Sequence, residues 1–274
     1  MDTTTLHEQN RVAWNEAANQ YAREIEADVA FLRAGGKNFC PPEFEYLRDL
    51  NAWCDCAIHL QCAGGKDTLS LLNLGAKRVV GVDISDRMIE VARAKSAQLA
   101  APAQWYRADV LETPDALNGV ADLVYTGRGA IGWLMDLEAW ARVVARLLKP
   151  GGKLYLFDGH PIGWVWDLAA SEYRFDPDPR YGNYFDEKVA TAQGWSESYI
   201  AADAVPVTAE QAKKHERQWT LSAIVNAVIA AGLRVERIGE HPDAFWTQYP
   251  HMPDDVRRRL PNTFSLLATK SKPL

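Results

Sequence analysis

Apolar positions along this chain follow two periods. In the first forty residues Val12, Trp14, Ala17, Ala18, Tyr21 and Ile25 recur three and four apart, which predicts a helix with one apolar stripe. Gly35-Gly36 breaks the pattern, and Pro41-Pro42 precedes a second amphipathic stretch, Phe44–Trp53. From Cys56 onward, short apolar runs alternate with helical stretches. Ala57–Cys62 reads as a strand, Asp67–Leu74 as a helix, and Arg78–Val82 as a β-branched strand closing on Asp83. Ser85 is placed to cap a helix over Ser85–Leu99, and Gln104–Arg107 is a short strand ending at Ala108-Asp109. Ala121–Thr126 is a further strand, followed by a helix at Leu137–Leu148, a turn at Lys149-Pro150-Gly151-Gly152 and a strand at Lys153–Asp158. The rhythm stops at Pro161 and resumes with a helix at Leu221–Ala231, a strand at Leu233–Ile238 and another near Thr263–Thr269.

Strands alternating with helices at this spacing predict an α/β fold, a parallel sheet with helices on both faces. The expected architecture is a Rossmann-like, doubly wound, seven-stranded sheet whose last strand is antiparallel and formed by the carboxyl tail. The expected division is a helical cap at 1–50, a nucleoside-binding core at 51–160, an insertion at 161–215 after the fifth strand, and completion of the sheet at 216–274. The insertion carries Trp164, Trp166, Tyr173, Phe175, Tyr181, Tyr184, Phe185, Trp195 and Tyr199, and connections this long usually have structure or function of their own.

Composition narrows the function classes. The chain has 274 residues, 47% of them hydrophobic, so it can bury a core without disulfide staples. A net charge of -6 argues against a general nucleic-acid binder, and the one dense basic run, Arg257–Arg259, reads as a solvated face. Cys40, Cys54, Cys56 and Cys62 lack zinc-site spacing and read as reduced thiols, so no metal is expected. Met1–Asn10 is polar with no apolar signal core, and no run approaches a membrane span, so a cytoplasmic protein with no membrane partner is expected.

Open α/β sheets bind ligands at the carboxyl ends of their strands. After the first strand comes Gln61-Cys62-Ala63-Gly64-Gly65, small residues that admit close approach of backbone amides. After the second comes Asp83, a carboxylate able to accept both ribose hydroxyls, and after the third Asp109, able to accept from an adenine amino group. The turn does not read G-x-G-x-x-G, and Gly64-Gly65-Lys66-Asp67-Thr68 lacks the spacing of a P-loop. A nucleoside without a pyrophosphate is left, with S-adenosylmethionine the leading candidate. Two other classes stay open: a non-catalytic binder of that nucleoside, and an NAD-dependent oxidoreductase, which should show the three-glycine turn.

These segments resemble the class I S-adenosylmethionine-dependent methyltransferase core, whose first motif runs roughly V-L-D-L-G-C-G-x-G. Ala57-Ile58-His59-Leu60-Gln61-Cys62-Ala63-Gly64-Gly65 matches its length and apolar frame, Gly81-Val82-Asp83-Ile84-Ser85 the second motif, and Ala108-Asp109-Val110 the third. Leu147–Leu154 is similar to the turn before the fifth strand. More narrowly, His59-Leu60-Gln61-Cys62, Asp67-Thr68-Leu69-Ser70, Tyr125-Thr126-Gly127-Arg128-Gly129-Ala130 and Gly159-His160-Pro161 resemble a bacterial subgroup, and Asn15, Ala18 and Tyr21 its amino-terminal lid. The resemblance covers Trp14–His160 well and the carboxyl tail fairly, and residues 161–215 carry little of it. It departs where His59 replaces an acidic residue and Gln61 and Ala63 replace glycines.

The resemblance implies methyl transfer from S-adenosylmethionine to nitrogen, oxygen or sulfur of a small-molecule acceptor. It implies cofactor contacts from Tyr21, Gln61, Cys62, Ala63, Gly64, Gly65, Asp67, Asp83, Ile84, Met88, Asp109, Val110, Thr126 and Gly127, with Gly64, Gly65 and Asp67 facing the methionine moiety. Tyr125, Arg128 and Trp133 follow the fourth strand, where related enzymes meet cofactor and acceptor. His160, just after the fifth strand with Asp158 before it, is the first candidate for a base; His215 is the second, and His59 reads as a core residue. Between 161 and 200 the chain carries seven acidic and three basic residues, which favours a neutral or amine-bearing acceptor over an anionic one.

Overall fold

The computed structural model describes residues 1–178, 182–195 and 211–272. Two helices lead the chain, α1 (Thr3–Arg23) and α2 (Ile25–Arg33), and both pack against the helix Asp86–Leu99. The buried face of α1 is Leu6, His7, Asn10, Ala13, Ala17 and Ala18, whereas Val12 of the expected stripe is exposed. The second amphipathic stretch divides into α3 (Pro41–Tyr46) and α4 (Leu50–Trp53), because Asp49 turns left-handed at φ 57°.

The core then runs β1 (Cys56–Leu60), α5 (Lys66–Asn73), β2 (Arg78–Asp83), α6 (Asp86–Leu99), β3 (Ala103–Arg107), β4 (Ala121–Gly127), α7 (Leu137–Leu147) and β5 (Leu148–Gly159). A two-stranded ribbon follows, β6 (Val189–Gln193) with β7 (Lys213–Arg217), antiparallel and separate from the main sheet. The chain closes with α8 (Leu221–Ala230), β8 (Leu233–His241), the short α9 (Asp254–Arg257) and β9 (Thr263–Lys270).

The main sheet has seven strands in the order β3-β2-β1-β4-β5-β9-β8. β1 to β5 are parallel, and β9 runs antiparallel to both neighbours, as expected for the carboxyl tail. All five residues of β1 are buried, as a central parallel strand covered on both faces requires. One face is closed by Trp140, Val144 and Leu147 of α7 with Ile224 and Val228 of α8, the other by Leu47, Leu50 and Leu71 around Tyr125, Tyr155 and Phe157. The strand order reverses between β1 and β4, so the crevice for a ligand opens there.

Boundaries differ from the periodic expectation in an informative way. β1 stops at Leu60, leaving Gln61 and Cys62 in the turn, and β8 continues to His241 through an irregularity between Val235 and Arg237. The ribbon's second strand reaches Arg217, past the expected end of the insertion at 215. Tyr181 and Tyr199 lie outside the described residues. Among the described residues no helix is long and apolar enough to cross a membrane.

Candidate active site

A cavity of about 990 Å³ opens over the carboxyl ends of β1 to β4 and is roofed by α1 and β7. Its floor is the β1–α5 turn. Cys62 N–H donates to Val82 O (3.0 Å), and Gly65 N–H to Cys62 O (3.0 Å). Gln61 and Ala63, which stand where glycine is expected, both adopt left-handed backbone at φ 57° and φ 44°. That conformation costs an L-residue roughly 1–2 kcal/mol, so something must hold it. Ala63 N–H donates to Asp83 Oδ2 (2.8 Å), and Gln61 Nε2 donates to Ala130 O (2.8 Å). Gly65, at φ 78°, has no such latitude, because a Cβ there would lie 2.6 Å from the Trp105 ring and 2.8 Å from Ala92 Cβ.

Asp83 sits where β2 ends. Its two oxygens accept from Ala63 N–H and from Ser85 N–H (2.8 Å each), which fixes the carboxylate beside the turn. Burial pushes its pKa up to about 6, and the two amides only partly offset this. Ser85 also caps α6 by accepting from Met88 N–H (3.1 Å), so the helix start and the carboxylate are set together.

At the end of β3, Asp109 accepts from Leu111 N–H (2.9 Å) and pairs through Oδ2 with His7 Nδ1 of α1 (2.7 Å). His7 Nε2 accepts from Met135 N–H (3.1 Å), so the ring proton is on Nδ1 and the neutral imidazole donates to Asp109. The carboxylate expected to meet an adenine amino group therefore already holds the roof helix. Nothing in the apolar stripe singled out His7. The available signal was polarity at core positions: His7 and Asn10 share the face of Ala13 and Ala17.

At the other end of the turn, Asp28 of α2 bridges two ammonium groups, Lys66 Nζ and Lys95 Nζ, at 2.7 Å each. Lys95 is completely buried, and its ammonium would be 3.3 Å from a Cβ placed on Gly64. Asp67, in the first turn of α5, accepts from Arg128 Nη1 (3.1 Å) and from Asn38 Nδ2 (2.5 Å). Arg128 is itself left-handed at φ 60°, and its N–H donates to Phe157 O (2.7 Å). The loop beyond β4 is organised by Asp158, which accepts from Gly129, Ala130, Ile131 and Gly159 N–H at 2.6, 3.0, 2.9 and 2.7 Å. Burial raises the pKa of Asp158, opposed by those four amides.

His59, in β1, lies under the turn with Nδ1 2.8 Å from Thr68 Oγ1. Burial lowers its pKa to about 4, so it is neutral and works as a spacer and hydrogen-bonding group, not as an acid. The far wall is aromatic: Trp14, Trp133 and Trp195 contact one another, with ring centroids 4.8 to 5.9 Å apart. Lys214 and Glu216 of β7 line the cavity beside them.

Of the site residues named from sequence, Tyr21, Gln61, Cys62, Ala63, Gly64, Gly65, Asp67, Asp83, Ile84, Asp109, Val110, Gly127, Arg128 and Trp133 line this one cavity. Met88, Thr126, Tyr125, His160 and His215 do not. Met88 is buried against Ala17 and Ala18, and Thr126 is buried within β4. Tyr125 is completely buried beside His59, ring centroids 4.6 Å apart, where its hydroxyl donates to Glu43 (2.6 Å) and its ring packs against Phe39 and Tyr155. His160 caps the turn at Pro161, accepting from Ile162 N–H (3.1 Å) at Nδ1 and meeting Glu240 at Nε2 (3.0 Å). Both ring nitrogens are engaged away from the cavity, which removes His160 as a base there. Asp158 belongs to the loop and not to His160. His215 is also committed, to Thr191 (2.9 Å) and Gln9 (2.6 Å).

Residues 57–152 match the family described as a methyltransferase domain. The chain is 28% identical over 138 residues to a ubiquinone biosynthesis O-methyltransferase of Xanthomonas oryzae, covering 50% of this chain and 57% of that protein. It is 26% identical over 172 residues to an O-methyltransferase of Penicillium expansum, covering 60% and 56%. The chain thus spans somewhat over half the length of these curated relatives. Among solved structures, an S-adenosylmethionine-dependent methyltransferase from Mesorhizobium loti superposes with a TM-score of 0.58 at 22% identity, over 83% of this chain and 97% of that one. The shared fold is the class I, Rossmann-like methyltransferase fold.

Proposed function

With residues 57–152 forming a methyltransferase domain, we propose that this chain transfers a methyl group from S-adenosylmethionine to nitrogen, oxygen or sulfur of a small-molecule acceptor. The single observation that carries the reading is the cavity floor. Asp83 is clamped by two amides at the ribose position, and the β1–α5 turn keeps a left-handed path although two of its glycines are gone.

The residues present fit the cofactor. Asp83 supplies the carboxylate for two ribose hydroxyls. Lys66 and Lys95 together bring more positive charge than Asp28 neutralises, beside Gly64 and the start of α5, where a ligand carboxylate is favoured. Ile84 and Val110 line the nucleoside end as apolar flanks. When bound, S-adenosylmethionine supplies an electrophilic methyl group on a sulfonium. The chain's own contribution is proximity, alignment and exclusion of water, for which no catalytic triad is needed. Asp158 fixes the loop at Gly129–Ile131, and that loop carries Trp133 into the wall that an acceptor would meet. We assign 161–215 to the acceptor side, because Trp195 and Lys214 reach the cavity while the nucleoside residues all come from the core.

Calorimetric titration with S-adenosylhomocysteine, S-adenosylmethionine and NAD tests this. The expected result is binding of the first two and none of NAD. Binding of NAD without S-adenosylhomocysteine would remove the assignment. Incubation with radiolabelled S-adenosylmethionine and a metabolite panel then separates an enzyme, which labels an acceptor, from a binding protein, which does not.

A further inference from the structure

β7 is held along α1 by two bonds around His215: His215 N–H donates to Asn10 Oδ1 (2.7 Å), and Asn10 Nδ2 donates to His215 O (2.9 Å). The side chain of His215 leaves on the ribbon's far side, towards Thr191 and Gln9. Strand alternation therefore sends its neighbours Lys214 and Glu216 to the opposite face, and both line the cavity. The two differ in how they are satisfied. The Lys214 ammonium rests 4.3 Å over the Trp195 ring. The Glu216 carboxylate receives no side-chain hydrogen bond and makes no ion pair within 4 Å among the described residues. Burial raises its pKa, and the charge of Lys214 only partly opposes this.

Glu216 is half-buried in a cavity wall that also carries tryptophans, so its carboxylate is left for water or a ligand to satisfy. A ligand group that displaces water from this carboxylate must supply the donor itself. An ammonium answers this by a charge-assisted hydrogen bond to the carboxylate, and a flat or apolar frame suits the aromatic wall beside it. Resting on the methyltransferase reading above, we propose that the methyl acceptor is an amine on a flat or apolar frame, its nitrogen-bound hydrogens read by Glu216 within the tryptophan wall. Glu216 is in this respect a specificity-determining residue.

The test uses the full-length protein saturated with S-adenosylhomocysteine and three indoles of like size: tryptamine, tryptophol and indole-3-propionate, as cation, neutral alcohol and anion. Calorimetry near neutral pH should show tryptamine binding about tenfold or more tighter than the other two, the difference expected of one charge-assisted hydrogen bond. Glu216→Gln should bring tryptamine down to the level of tryptophol and leave the affinity for S-adenosylhomocysteine unchanged. Lys214→Met should keep or strengthen tryptamine binding. Equal binding of the three, preference for indole-3-propionate, absence of any indole binding, or tryptamine affinity indifferent to Glu216→Gln would each overturn the proposal. The selectivity of the unaltered chain is decisive even where a variant fails to fold. Failure of the methyltransferase reading shows earlier and separately, as no binding of S-adenosylhomocysteine, and the proposal falls with it.

Discussion

Protonation of Asp83 should control cofactor affinity across the mildly acidic range. Burial sets the pKa of the free protein's Asp83 at about 6. Two ribose hydroxyls donating to the carboxylate favour its ionised form, so the pKa falls on binding. Binding then expels a proton whenever the free protein holds one. Above about pH 7 the carboxylate is already ionised and affinity is flat. Below pH 6 affinity weakens by up to tenfold per unit, reaching about tenfold, or 1.4 kcal/mol, near pH 5. Asp83→Asn removes the charge and also turns an amide NH2 towards either Ala63 N–H or Ser85 N–H, each of which now donates to a carboxylate oxygen. Losing an ionic acceptor and opposing one of the two donors should weaken S-adenosylhomocysteine by about 2–4 kcal/mol at neutral pH and abolish the slope. The assay is calorimetric titration between about pH 5 and pH 8 in buffers of different ionisation heats, which counts the protons released. A flat affinity for the unaltered protein between pH 5 and 7 would refute the reasoning, and so would a slope that survives in Asp83→Asn.

Three further outcomes follow from other buried groups. Glu43 is fully buried, with its pKa raised by burial to about 7. Its unfolded counterpart ionises near 4.5, so stability is lost as pH rises from about 4.5 to 7, by roughly 3 kcal/mol. Glu43→Gln can keep the bonds to Cys40 N–H and the Tyr125 hydroxyl, and should match the parent in urea at pH 4.5 but exceed it above pH 7; parallel pH profiles would reject this. Asp158→Asn sets an NH2 against amides that now donate to the carboxylate, and should cost about 2–4 kcal/mol in urea denaturation, whereas a loss under 1 kcal/mol would mean that the loop holds itself. Gly65→Ala and Gly119→Ala both force a side chain to positive φ (78° and 65°), but only the first meets other atoms within 4 Å. Gly119→Ala should cost about 1 kcal/mol and Gly65→Ala about 2–3 kcal/mol with weakened S-adenosylhomocysteine binding; equal effects would show that strain alone governs the turn.

The sheet and the place of Asp83 at its crevice were legible because each depends on local pattern. A β-branched run ending in Asp83 needs only the parallel sheet around it to set that carboxylate in the crevice; β1 to β4 lie close to where the periods place them, and β5 starts earlier than expected, at Leu148. What stayed hidden depends on distant partners. Tyr125 and Thr126 are two residues and one from Gly127, yet both are completely buried and neither lines the cavity that Gly127 lines. His160 looked like a base because it follows a strand, but the turn before Pro161 and Glu240, eighty residues on, claim both nitrogens. His7 meets Asp109 across 102 positions, and Asp158 meets Gly129 across 29, separations at which no sequence period speaks.

The β1–α5 turn shows how such distant bonds substitute for residue type. A glycine at 61 or 63 would make left-handed backbone free of steric cost, and this chain has Gln61 and Ala63 there instead. The path survives because its polar atoms are held from outside: Asp83 takes Ala63 N–H, Val82 takes Cys62 N–H, and the Gln61 side chain spans to Ala130 in the loop that Asp158 organises. Gln61 therefore links the cofactor turn to the loop carrying Trp133, a connection that a glycine could not make. The departure from the usual motif weakens one local preference and gains a tie between the two ends of the cavity, so the turn's geometry and the acceptor wall should respond together to substitutions in either.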